Sequence, residues 1–443
     1  MLLAATACRF ESARPEPAST PATRVLVGAE VLARDGFQAL SGLRVGLIVN
    51  HTSTVESTHL ADTLLAAGID VRALFGPEHG VRGDAGAGVA IESGRDEQTG
   101  LPVYSLYGPT RSPEPEALAE LDALVFDIQD VGARFYTYIS TMGLAMQAAA
   151  EAGIPFFVLD RPNPLGGNYV SGFVLDAGEE SFVGLYPIPV AHGLTVGELA
   201  RMIRGESWLS GLDALDLRVV EMDGWRRELQ WPDLGRQWVP TSPNIPDFPT
   251  AAVYPGMCYL EATTVSEGRG TEHPFLQFGA PWIDATSLAA ELNAELNAEN
   301  VVGAFEVSFE AVTFTPRSLP NAAPNPRYRD TEIPGVRIAL DADAHVGDSN
   351  AHVGDSNARV GDSNAHVDAL RLGMVVLTAL RDHAAARGEP NLIRQASMRR
   401  LAGTTELYGL LVSGASADEI AAEWADEVAS FRTLRVPYLL YSE

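Results

Sequence analysis

The chain has 443 residues, 46% of them apolar and 20% charged, which is ordinary globular composition and enough length for two domains. Its 31 Lys+Arg against 58 Asp+Glu leave a net charge of −27, a surface that repels phosphate backbones and anionic headgroups, so nucleic-acid binding and polybasic membrane docking are not expected. Two cysteines, Cys8 and Cys258, support neither a disulfide scaffold nor a structural zinc site, and no apolar run reaches the ~18 residues that would span a bilayer.

In chain order, the opening MLLAATAC reads as the tail of a secretory signal ending in a lipobox-like Ala-Thr-Ala-Cys. Cys8 would be the lipid acceptor, and the Pro/Ala/Ser-rich stretch to Thr23 a disordered tether. From Leu43 apolar strand runs alternate with helical patterns. Strands are expected at Leu43–Asn50, Val71–Phe75, Pro102–Tyr107, Ala123–Ile128 and Pro155–Asp160, with helices at Ser57–Ala67 and Thr137–Ala152. Near-continuous apolar strands between helices indicate a parallel sheet covered on both faces, so the expected fold is α/β, a Rossmann-like doubly wound domain over 24–249. Thr195–Arg204 is a further helix with Thr195 as N-cap.

A smaller α+β auxiliary domain is expected over 250–443, with the polar, Gly/Pro-punctuated stretch Trp238–Thr271 lining a cleft between the two. Its strands are expected at Pro274–Asp284, Phe305–Arg317 and Gly335–Leu340, and its helices at Ser287–Asn297, Asp368–Ala385 and Ala415–Arg432. Within it, AHVGDSN at 344–350 recurs at 351–357 and as ARVGDSN at 358–364. One Val per seven residues forms no coiled-coil seam, so this reads as a tandem surface-loop insert.

In open parallel sheets ligands sit beyond the carboxyl ends of the strands, and here those ends carry Asn50, the turn Gly76-Pro77-Glu78-His79-Gly80 with Arg82 after it, Asp127 and Asp130, and Asn163. Flanking glycines and Pro77 present Glu78 in one direction, which suits a general acid; a plain turn is the alternative. Ser266-Glu267-Gly268-Arg269-Gly270 holds the second carboxylate, either facing a ligand or closed as a Glu–Arg turn. Asp130 could cap a helix instead of binding substrate. Arg134 suits a substrate carboxylate, and Tyr136 and Tyr138 suit a pyranose face. No GxGxxG follows the first strand, no GxSxG elbow and no HExxH is present, and the histidines show no metal-ligand spacing, so no cofactor or metal is expected. Carboxylate chemistry remains, and two carboxylates flanking an acetal are the minimum for glycoside hydrolysis.

The blocks GLIVNHTS (46–53), LFGPEHGVRGDAGAG (74–88), VFDIQDVGARFYTYISTM (125–142), VLDRPNPLGG (158–167), PVAHGLTVGELA (189–200), WVPTSPNIP (238–246) and YPGMCYLEATTVSEGRGTEHPF (254–275) resemble the NamZ-type exo-β-N-acetylmuramidase family. The resemblance implies a Rossmann-like domain joined to a smaller one, and release of terminal non-reducing β-linked N-acetylmuramic acid from peptidoglycan fragments outside the cytoplasm. It places Glu78 at the catalytic glutamate position. Glu267 and His79 complete the expected catalytic set. Asn50, Arg82, Asp127, Asp130, Arg134, Tyr136, Tyr138, Asn163, His192, Ser242, Asn244 and Arg269 are the expected substrate contacts. A non-catalytic sugar-binding lipoprotein on the same scaffold is the alternative.

Overall fold

The computed structural model describes residues 24–83, 86, 93–299, 306–341, 368–389 and 391–442. Cys8 and its tether, and the repeat insert at 344–364, lie outside the described residues.

The apolar runs of the first half pair into one sheet. Its strands are β1 (Arg44–Val49), β2 (Asp70–Gly76), β3 (Gly94–Arg95), β4 (Pro102–Ser105), β5 (Ala123–Asp127), β6 (Phe156–Leu159) and β7 (Leu217–Val220). They stand in the order β7-β6-β5-β1-β2-β4-β3, with every pairing parallel except the short edge β3 against β4. Because the order runs outward in both directions from β1 and β5, the topological switch point falls between them, where a doubly wound sheet opens a crevice.

Alternation along each strand divides the core. Val45, Leu47 and Val49 of β1 pack with Leu60, Leu64, Val125 and Leu159, whereas Ile48 turns to Leu124, Phe126 and Val158. Each such fully buried side chain contributes about 1.5–3 kcal/mol, and burial on both faces is what makes the strands apolar throughout. The second of these clusters runs without a break into the C-terminal half, reaching Leu288, Val336 and Leu370.

Helices α1 (Leu60–Ala66), α2 (Tyr138–Ala152) and α3 (Val196–Gly205) accompany the sheet. Thr195 caps α3 as expected, its hydroxyl accepting from the Glu198 amide at 3.2 Å while the Glu198 carboxylate accepts from the Thr195 amide at 3.1 Å. Residues 57–59, expected to begin a helix, belong instead to a tight hairpin over 54–59, and α1 starts only at Leu60 with the His59 ring as its cap. The edge strand β7 has no counterpart in the expected elements: it is four residues long and only half-buried, so its apolar pattern is weak.

The Gly/Pro-punctuated stretch contains α4 (Phe248–Met257). Pro249 sits in the first turn, where an amide has no helical partner, and Asp247 caps the Thr250 amide at 2.9 Å. In the second half, β8 (Gln277–Gly279), β9 (Glu306–Phe314) and β10 (Ile333–Asp341) form an antiparallel sheet in the order β8-β10-β9. The strand expected over Pro274–Asp284 is thus only three residues long. Helices α5 (Ala285–Glu299), α6 (Ala369–Ala386) and α7 (Gln395–Ala402) follow. α4 and α6 cross so closely that a Cβ on Gly256 would lie 1.7 Å from the Ala369 carbonyl oxygen. The final helix expected over Ala415–Arg432 is two helices, Ala417–Glu423 and Ala425–Leu434. They break at Trp424, which turns inward to an edge-on contact with Phe173 at 5.2 Å.

Candidate active site

A cleft of about 670 Å³ lies beyond the carboxyl end of β2, lined from the first half by Glu78, His79, Tyr107, Tyr136 and Thr137, and from the second by Glu261, Glu267, Arg269 and Arg327. This size suits a small ligand, since such sites span about 300–1,000 Å³.

Glu78 is half-buried in the turn after β2. The Gly80 amide donates to the Pro77 carbonyl at 2.9 Å, and His79 takes a left-handed φ of 71°. A non-glycine residue rarely adopts that conformation, though His does so more than most. The turn therefore puts Glu78 into the cleft with His79 buried beneath it. Thr137, at the N-cap position of α2, makes no side-chain cap; its hydroxyl donates to Glu78 at 2.8 Å instead. The Tyr107 hydroxyl is also hydrogen-bonded to Glu78, and burial together with that carboxylate raises the phenol well above its ordinary value. Two hydroxyl donors thus fix the orientation of one carboxylate.

Glu267 is 7% exposed and lies between Arg327 at 3.4 Å and Arg269 at 3.6 Å. Two effects oppose each other there. Burial raises the carboxyl and the Arg269 charge lowers it; burial wins and pushes it up to about 7. Arg269 also pairs with Glu261, and its guanidinium lies 5.2 Å from the Phe275 ring centre. Arg327 donates to the Val265 carbonyl at 2.6 Å and the Glu261 carbonyl at 2.8 Å, so both cations are committed to holding this turn.

Gly268 makes the turn possible. Its φ is +79°, and a Cβ there would lie 2.5 Å from the His273 oxygen and 2.6 Å from the Gln277 oxygen, both backbone atoms. Gly268→Ala should cost about 1–3 kcal/mol and lower the melting temperature. An unchanged melting temperature would show that the turn tolerates another conformation.

Of the expected contacts, Tyr136, Ser242, Asn244 and Arg269 line the cleft with Glu78, His79 and Glu267. Tyr136 is tied down, its hydroxyl donating to the Thr241 hydroxyl at 3.0 Å, and Asn244 donates to the Ala322 carbonyl at 2.8 Å. The other expected contacts are structural. Arg134, expected to meet a substrate carboxylate, is 1% exposed and donates to the carbonyls of Phe173, Ile188, Leu401 and Ala402, knitting the two halves together. Tyr138 is in the core, donating to the Thr241 carbonyl at 2.9 Å. Arg82 bridges Asp62 and Asp96. Asp127 receives Arg161 at 2.5 and 2.9 Å, and Asn50 accepts from the Thr52 amide at 2.9 Å.

Asn163 accepts from the Leu165 amide and donates to the Leu194 carbonyl. Asp130, buried and pushed up to about 7, accepts from the Gly132 amide at 2.7 Å, closing a turn rather than capping a helix. His192 lies 3.9 Å from it, pushed down to about 3 by burial. None of these residues lines the cleft. Sequence reasoning missed Tyr107, Arg111, Phe182, Glu261 and Arg327; Phe182 and Arg327 lie in stretches with no motif to mark them. No cluster of His, Cys, Asp or Glu suited to a metal ion occurs among the described residues, nor any helix long and apolar enough to cross a membrane.

Residues 45–249 match the family model for the N-terminal part of the exo-β-N-acetylmuramidase NamZ, and residues 252–441 match that for its C-terminal part. The chain belongs to the NamZ family. It is 39% identical over 435 residues to the peptidoglycan β-N-acetylmuramidase NamZ of Bacillus subtilis (strain 168), covering 97% of this chain and 95% of that protein. Two crystal structures of DUF1343 family proteins from Bacteroides fragilis NCTC 9343 share the fold. One has a TM-score of 0.79 at 35% identity, covering 94% of this chain and 99% of the other. The second has a TM-score of 0.71 at 34% identity, covering 95% and 100%. Within the NamZ frame Glu78 falls in the N-terminal match and Glu261 and Glu267 in the C-terminal match, so both halves supply carboxylates to the cleft.

Proposed function

We propose that this protein is a glycosidase that releases N-acetylmuramic acid from the non-reducing ends of peptidoglycan fragments, using Glu78 and Glu267 as its catalytic pair. The observation that supports this reading is the convergence of the two carboxylates, one from each half, on a single cleft of about 670 Å³. Glu267 keeps its proton up to about 7 because it is buried, and it donates that proton to the departing glycosidic oxygen. Glu78, held by Thr137 and Tyr107, is the carboxylate that meets the anomeric carbon or its attacking water. This is the reverse of the roles expected from the motifs alone, and the reason is burial: the glutamate from the second half sits deeper than the one on the strand tip. We further propose export and anchoring by a lipid on Cys8, supported by the Ala-Thr-Ala-Cys run and by the extracytoplasmic location of peptidoglycan.

The test is digestion of peptidoglycan glycan strands carrying N-acetylmuramic acid at the non-reducing end. The expected product is free N-acetylmuramic acid, released one residue at a time from that end. Internal fragments without the free monosaccharide would overturn the exo reading.

A further inference from the structure

Four guanidinium groups and three glutamates line the cleft, so, counting arginines and glutamates, it is one unit positive inside a chain of net charge −27. Such a local field draws an anion into a site whose surroundings repel it. Arg269 and Arg327 are committed to Glu261, Glu267 and backbone carbonyls. Arg111 and Arg400 remain, and neither forms an ion pair among the described residues.

Position separates the two. The Arg111 guanidinium lies 4.6 Å from the centre of the Phe182 ring, which is 6.0 Å from the Tyr107 ring, and Tyr107 is hydrogen-bonded to Glu78. A continuous strip thus leads from the catalytic carboxylate to this cation. Beside Phe182, the buried Ser181 Oγ has no hydrogen-bond partner. Arg400 stands on α7 with no such link to either catalytic glutamate.

N-Acetylmuramic acid differs from N-acetylglucosamine by a lactyl ether whose carboxylate hangs from C3, two carbons round the ring from the reacting C1. A sugar seated with C1 at Glu78 and C3 turned toward Phe182 would carry that carboxylate along the same wall. We propose that Arg111, braced on Phe182 and assisted by the Ser181 hydroxyl, pairs with this carboxylate and so selects muramic acid over glucosamine. A planar guanidinium presents two parallel donors to a carboxylate, which an ammonium does not.

The inference rests on the muramic-acid reading, and a binding experiment separates the two. Calorimetric titration compares free N-acetylmuramic acid, its lactyl amide and N-acetylglucosamine on the wild type and on Arg111→Ala, Arg111→Lys and Arg400→Ala. Arg111→Ala should weaken N-acetylmuramic acid roughly tenfold or more and the two neutral sugars by no more than about twofold, with Arg111→Lys in between. The proposal is overturned if Arg111→Ala leaves N-acetylmuramic acid binding intact, if Arg400→Ala produces the carboxylate-dependent loss, or if the wild type binds the acid no more tightly than its amide. A wild type that binds the acid through Arg111 but cleaves no muramic glycoside would refute the hydrolase reading and leave this assignment standing.

Discussion

Glu78→Gln should lower kcat on a muramic glycoside by about 10²-fold or more while the protein still binds N-acetylmuramic acid. The substitution is close to isosteric, and the amide oxygen can still accept from Thr137, so the turn and the cleft should survive. What is lost is the charge at the anomeric carbon. Because that charge is needed whatever group departs, the loss should be equally large on an aryl glycoside with a good leaving group and on a disaccharide. Near-wild-type turnover in a variant with unchanged melting temperature would remove Glu78 from the chemistry.

Glu267→Gln should behave differently. A proton donor matters most when the leaving oxygen is strongly basic, so the variant should lose about 10²-fold or more on the disaccharide and far less on an activated aryl glycoside. The pH dependence carries a sign that can be checked in the wild type. Burial pushes the Glu267 carboxyl up to about 7, so its proton is present below that pH and lost as pH rises through it. Turnover of the disaccharide should therefore fall above about pH 7, and this descending limb should be absent in Glu267→Gln. If activity instead rose through pH 7, or if Glu78→Gln were the variant spared by the activated leaving group, the two roles would be exchanged.

Motif spacing carried much of this architecture. Apolar runs such as Leu43–Asn50 and Ala123–Ile128 announced parallel strands because a strand buried on both faces has few polar positions to interrupt it. The rule that ligands sit at strand carboxyl ends then led to Glu78 from the chain alone, and the glycines around Glu267 pointed to either a close approach to a ligand or a Glu–Arg turn. Composition alone argued against a disulfide-built or zinc-built fold.

Whether a polar residue in a signature block faces a ligand or supports the one that does depends on which backbone groups the fold leaves in need of partners. Arg134 looked like an anion site, but the carbonyls of Phe173, Ile188, Leu401 and Ala402 meet at one buried point, and a guanidinium is the side chain that can satisfy them all. Leu401 and Ala402 are more than 260 residues away in the chain, so no local pattern could have shown this. The same long-range packing buried Glu267 and raised its proton affinity, and it set Arg111, Phe182 and Tyr107 in line with Glu78. Local sequence determined which segments became strands and tight turns, because those depend on near neighbours; the charge state and accessibility of each side chain were decided by the tertiary structure, because both depend on what distant segments bring alongside it.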